Sequence, residues 1–105
     1  MLKSVFVFSG EKNHLPSAVF STEETARKWI RDNRLSGTLT EYPIDDPIYD
    51  WTIRGGHFEP RRNDQRSADF IANFSSAYQN HFHFEEGEGY ARHVAQHWQV
   101  GAFSH

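Results

Sequence analysis

With 105 residues, a formal net charge of −3 and a pI near 6.1, the chain has the length of one domain and lacks the basic balance of a general nucleic-acid or anionic-membrane binder. It contains no cysteine, which excludes disulfides, thiolate metal sites and thiol nucleophiles and fits a reducing compartment. Hydrophobic content is only 37%, but nine Phe, four Tyr and three Trp each bury a large area and argue against disorder.

The first apolar stretch, near Lys3, is too short for a signal peptide or a membrane span, so cytoplasm is the expected location. Ser4 to Phe8 alternates as a first strand, with Phe6 and Phe8 on one face and Val5 and Val7 on the other. Turn chemistry from Ser9 to Asn13 leads to a second strand, Ser17 to Phe20, most simply antiparallel to the first. Ser21 and Glu24 have the spacing of a capping box. Ala26, Trp29 and Ile30 make the apolar stripe of the helix that follows. Gly37 is placed to end this helical region in a left-handed conformation, and a third strand is expected from about Thr38 to Tyr42, stopped by Pro43.

Asp46 can cap a second helix that starts at Pro47. Ile48 and Trp51 form its inward pair, and Gly55-Gly56 ends it. Glu59 to Arg66 reads as an exposed loop. Ser67 caps a short segment in which Phe70, Ile71, Phe74 and Tyr78 keep helical spacing. His81 to Phe84 alternates strictly and reads as a fourth strand with Phe82 and Phe84 inward. The run Glu85 to Gly89 breaks it, and Tyr90, Val94 and Trp98 at i, i+4, i+8 suggest a terminal helix. The expected architecture is α+β: a small, mostly antiparallel sheet of about four strands with amphipathic helices packed on one face. Residues 1–89 form a single domain in this reading, and residues 90–105 a C-terminal helix and tail.

The segments FSG, PSAVFSTEETARKWI, LSGTLTEYPIDDPIYDW and ADFIANFSSAYQNHFHFEEG, in that order, resemble a small bacterial domain family of unknown function. The resemblance covers about Val5 to Gly87. It implies a stand-alone domain and brings no activity, cofactor or catalytic residue with it.

Seven histidines are present, four of them between positions 81 and 97. On a strand, His81, His83 and Glu85 share one face at a spacing of about 6.6 Å, from a rise of roughly 3.3 Å per residue. Imidazoles so placed can converge on a transition metal, with the carboxylate as third ligand. His93 and His97, at i, i+4 on the expected terminal helix, would add to the set. The plain alternative is that the strand needs polar residues opposite Phe82 and Phe84. The H-x-H plus Glu pattern resembles half of the cupin motif, but the strands are too few for a jelly roll. No nucleophile elbow and no phosphate-binding loop is present.

Two stretches suit partner recognition. Tyr42 and Tyr49 with Asp45, Asp46 and Asp50 would make an acidic aromatic surface for a basic partner, as in small immunity-type proteins. Arg61, Arg62 and Arg66 lie in a loop near Trp51, His57 and Phe58, where they could grip phosphates or an acidic protein surface. Glu59 and Asp64 dilute that charge, and with the acidic total this argues against nucleic acid. The residues favour a non-catalytic domain that binds a protein partner, with no cofactor. A metal protein built on His81, His83 and Glu85 is the alternative, and an immunity protein neutralising a basic partner is the weaker one. Oligomeric state is left open, because an edge strand can pair between copies.

Overall fold

The computed structural model describes residues 3–93, with side chains to Gly89. The element order is β1 (Ser4–Gly10), β2 (Ala18–Phe20), α1 (Glu23–Asp32), β3 (Gly37–Pro43), α2 (Ile48–Arg54), a 3-10 turn (Asn63–Arg66), α3 (Ala68–Ala72), β4 (His81–Glu85) and β5 (Glu88–His93). All five strands join one antiparallel sheet in the order β2-β1-β3-β4-β5. The α+β expectation holds. The sheet gains a fifth strand, and two aromatic residues from helical stretches turn out to sit elsewhere.

The core forms where α1 covers the sheet. Phe8, Leu39, Phe82 and Phe84 point from β1, β3 and β4 to Ala26 and Ile30 of the helix, all six buried. Trp29 closes one side, its indole edge-on to Phe8 at 5.7 Å and tilted over Phe20 at 5.5 Å. Arg27, paired with Glu23 at 2.6 Å, lays its guanidinium 4.7 Å from the Phe82 ring centre and 5.0 Å from that of Phe84, a cation–π cover over the apolar edge. Each fully buried side chain the size of Ile30 or Leu39 contributes roughly 1.5–3 kcal/mol through removal of apolar area from water.

The cap of α1 lies one residue later than the Ser21 pairing predicts. Thr22 is extended and its Oγ1 accepts from the Thr25 amide at 3.1 Å. This puts Glu23 and Glu24 in the first turn, where their charge complements the helix dipole. Gly37 does not end the helix either. Asn33 is the C-cap, Arg34 takes the left-handed conformation, and Gly37 opens β3 opposite Gly10.

The expected terminal helix is corrected over its first turn. Glu86 and Gly87 both have positive φ, 50° and 87°, the backbone of a two-residue hairpin turn. The chain therefore reverses, and Glu88–His93 pairs with β4, slipping register by one residue at Tyr90. The turn is pinned to the end of α1: the Gly87 amide donates to the Leu35 carbonyl at 2.8 Å, and Arg34 pairs with Glu86 at 2.9 Å. Val94, His97 and Trp98 of the expected helix lie outside the described residues.

A second apolar cluster stands apart from the first. Tyr49 of α2 packs against Phe58, Phe70 and Phe74, with ring centres 5.4–6.3 Å away, and its hydroxyl donates to the Gln65 carbonyl at 2.8 Å. The inward face of α2 is thus Tyr49 and Thr52, both buried, and not Ile48 and Trp51, which are half-buried. The helix starts at Ile48 with no side-chain cap. Asp46, predicted to cap, instead forms an ion pair with Arg54. Ser67 caps α3 as expected, accepting from the Phe70 amide, but α3 stops at Ala72, so Phe74 and Tyr78 are placed by irregular chain.

Candidate functional site

Along β1 and β3 the core face changes character. Phe8 and Leu39 are apolar and buried beneath α1, whereas Ser4 and Glu41 carry polar groups on the same face towards the far end of the sheet. There the Glu41 carboxylate accepts from the Ser4 hydroxyl at 2.5 Å and from the Asn80 amide nitrogen at 3.1 Å, while its own backbone amide donates to the Asn80 carbonyl at 2.9 Å. Long-range register creates this group, because Ser4, Glu41 and Asn80 are about forty positions apart at each step.

A cleft of about 310 Å³ opens at this point, lined by Ser4, Glu41, Pro43, Trp51, His57, Tyr78, Gln79 and Asn80. Its aromatic lining is ordered: the His57 imidazole stacks on Tyr78 at 4.3 Å with planes 15° apart, and the Trp51 ring centre lies 5.6 Å from that of His57, tilted by 36°. The Thr52 carbonyl holds the return of the chain after α2 by accepting from the His57 amide at 2.8 Å. Two further depressions adjoin the cleft. One shares Pro43 and continues through Tyr42, Asp45, Asp46, Pro47 and Ile48; the other shares His57 and Tyr78 and continues to Phe58, Phe74 and the Ser75–Ala77 segment. Pro43 is common to the first two, and His57 and Tyr78 to the first and third, so the three depressions are neighbours and together make a grooved surface. Glu41, Asp45 and Asp46 line it, and among the described residues no lysine or arginine does.

Gln79 is the unusual member. It is 4% exposed, and its Oε1 has no hydrogen-bond partner. A buried acceptor left unserved costs about 1–3 kcal/mol, a cost that a purely structural position would shed by substitution. Gln79→Met is therefore expected to stabilise the fold by about 1 kcal/mol, a rise in Tm of about 4 °C or more for a domain of this size. A fall in Tm in a thermal melt would show that this acceptor is served.

Ser4, Glu41 and His57 are the residue types of a nucleophilic triad, but they are not wired as one. The serine donates to the carboxylate directly, while the imidazole is stacked on Tyr78 beside Trp51. A triad needs the base between the other two.

The residues singled out from sequence are scattered by the fold. On β4, His81 and His83 do approach one another, ring centres 5.2 Å apart and edge-on. His81 is buried, and its Nδ1 donates to the Gln79 carbonyl at 3.0 Å; His83 Nδ1 lies 3.5 Å from Thr38 Oγ1. Glu85, at the hairpin end of the strand, is exposed. Among the described residues no group of three or more His, Asp or Glu is arranged to hold a metal ion. His93 lies on β5 opposite His81 in the ladder, not on a helix, and His97 lies outside the described residues.

Of the acidic aromatic surface, Tyr42, Asp45 and Asp46 do lie together in the groove. Tyr49 does not join them; it is buried in the aromatic cluster, because its ring and hydroxyl both find partners there. The arginines are exposed and engaged locally. Arg61 pairs with Glu59, and Arg66 donates to the Pro60 and Arg62 carbonyls. Arg62 pairs with Asp64, and the hydrogen bond it donates holds the Asp64 carboxyl below the usual carboxylate range. Among the described residues no helix is long and apolar enough to cross a membrane.

The model of a family described as a domain of unknown function, DUF7710, matches residues 5–90. Comparison with curated proteins and with solved structures finds no match.

Proposed function

The chain belongs to this family of domains of unknown function, and from its groove we propose that it is a non-catalytic binding module for an extended segment of a protein partner. The observation that supports this reading is the adjacency of the three depressions, which share Pro43, His57 and Tyr78. Neighbouring depressions lined by Tyr42 and Pro47, by Trp51, His57 and Tyr78, and by Phe74 offer several adjacent seats for the side chains of a peptide. Aromatic and proline-lined grooves bind extended chains by seating successive side chains against ring faces. Its acids Glu41 and Asp45, with no lysine or arginine among the described lining residues, set the sign of the partner: positive.

Selection of a displayed random-peptide library on the whole chain tests the proposal. Enriched peptides should share a consensus and should shift the resonances of Trp51, His57 and Tyr78. Trp51→Ala should weaken them by about tenfold or more, as truncation of a central interface tryptophan does. Absence of a consensus, a footprint on another surface, or full affinity in a folded Trp51→Ala variant would each overturn it.

A further inference from the structure

We infer that the central cleft is a receptor for a guanidinium group, the side chain of an arginine in the bound partner; this deepens the peptide-binding reading above and rests on it. Glu41 is half-buried in the cleft, accepts from two neutral donors, Ser4 and Asn80, and has no ion-pair partner among the described residues. A carboxylate accepts about four hydrogen bonds, so half of its capacity is unused. Next to Asn80, Gln79 has a buried acceptor with no partner on the same wall. The terminal torsion of a glutamine is soft, so the amide can turn to a donor that enters. The same cleft is lined by the rings of Trp51, His57 and Tyr78.

Unused acceptors and aromatic rings lining one cleft are complementary to a planar cation. The guanidinium carries five N–H donors in a rigid fork and stacks on aromatic rings, whereas an ammonium is a compact, strongly hydrated point charge with three donors. The chain already uses this chemistry once, with Arg27 over Phe82 and Phe84. Among the described residues no lysine or arginine lines the cleft to compete for the place.

Titration of the whole chain with N-acetyl-arginine amide, N-acetyl-lysine amide and N-acetyl-citrulline amide, followed by NMR, separates the terms. The arginine probe should shift Trp51, His57, Tyr78 and the Gln79 side-chain amide, and should bind at least about tenfold more tightly than citrulline, its neutral isostere. Added salt should weaken it. Glu41→Gln should bring arginine down to the level of citrulline, an effect that a merely structural role for Glu41 would not produce. Equal binding of citrulline and arginine by the unaltered chain, equal binding of lysine and arginine, or no shift in the cleft would overturn the assignment, and none of these results depends on a variant folding. Library peptides that occupy the groove without an arginine would remove the guanidinium site and leave the binding module standing. An arginine probe seated in the cleft with no peptide consensus would do the reverse.

Discussion

Gly37→Ala should cost about 3 kcal/mol or more and lower Tm by over about 10 °C, because no neighbour can yield to the added methyl. A Cβ at this position would stand 2.7 Å from Phe8 Cζ and 2.9 Å from Gly10 Cα, and closer still to the Ser9 carbonyl oxygen. Two of these three are backbone atoms of β1, fixed by the ladder that pairs Ser9 with Thr38 and Gly10 with Gly37. The third belongs to a ring that is itself buried in the core and held against Trp29. Gly56 provides the control. Its φ is +79°, but nothing lies within 4 Å of a Cβ placed there, so Gly56→Ala should cost only the strain of a left-handed alanine, about 1 kcal/mol. Urea unfolding of both variants compares the two costs. A Gly37→Ala variant as mild as Gly56→Ala would mean that β1 and β3 can separate, and the register that joins Ser4 to Glu41 would then be in doubt.

That register explains what could and could not be read from sequence. Strands β1 to β4 and helix α1 are visible because alternation and helical spacing follow from local geometry, and Ser67 is visible as a cap because a cap acts within three residues. Errors of one residue, such as Ser21 for Thr22, arise because both hydroxyls suit the role and the end of β2 decides between them. Strand β5 was illegible for a different reason. Glycine at positions 87 and 89 reads equally as a break or as a hairpin, and the pairing partner that settles the matter, β4, lies across the turn. Tyr49 and Trp51 exchanged roles because the apolar stripe of a seven-residue helix is too short to define a face. The cleft was least legible. Its walls come from the start of β1, the end of β3, the return after α2 and the approach to β4, and only the folded register makes Ser4 a neighbour of Glu41 or Gln79 a neighbour of both. A buried glutamine without a partner leaves no mark in sequence at all.

Tyr49→Ala should divide the molecule. Truncating a buried aromatic costs about 3–5 kcal/mol, and Tyr49 gives up contacts with Phe58, Phe70 and Phe74 as well as the hydrogen bond to Gln65. Tyr49→Phe, which loses the hydrogen bond alone, should cost about 1 kcal/mol. No ring pair among the described residues joins this cluster to Phe8, Phe20 or Trp29 beneath α1. The two are connected by the chain and by polar contacts around Glu41, Ile44 and Asn80. The loss should therefore appear as a local opening. Amides from residues 48–74 should exchange faster in hydrogen-exchange measurements, while those of Val7, Leu39 and Phe82 in the sheet keep their protection. Uniform loss across both sets would instead make the domain a single cooperative unit. A local opening matters for function because Trp51, His57 and Tyr78 form the aromatic wall of the groove, and they depend on this cluster for their place. The sheet would keep Ser4 and Glu41 in position with nothing facing them. Peptide binding should then fail in a molecule that still melts as a folded sheet, which locates the binding surface at the junction of the two clusters and not on either one.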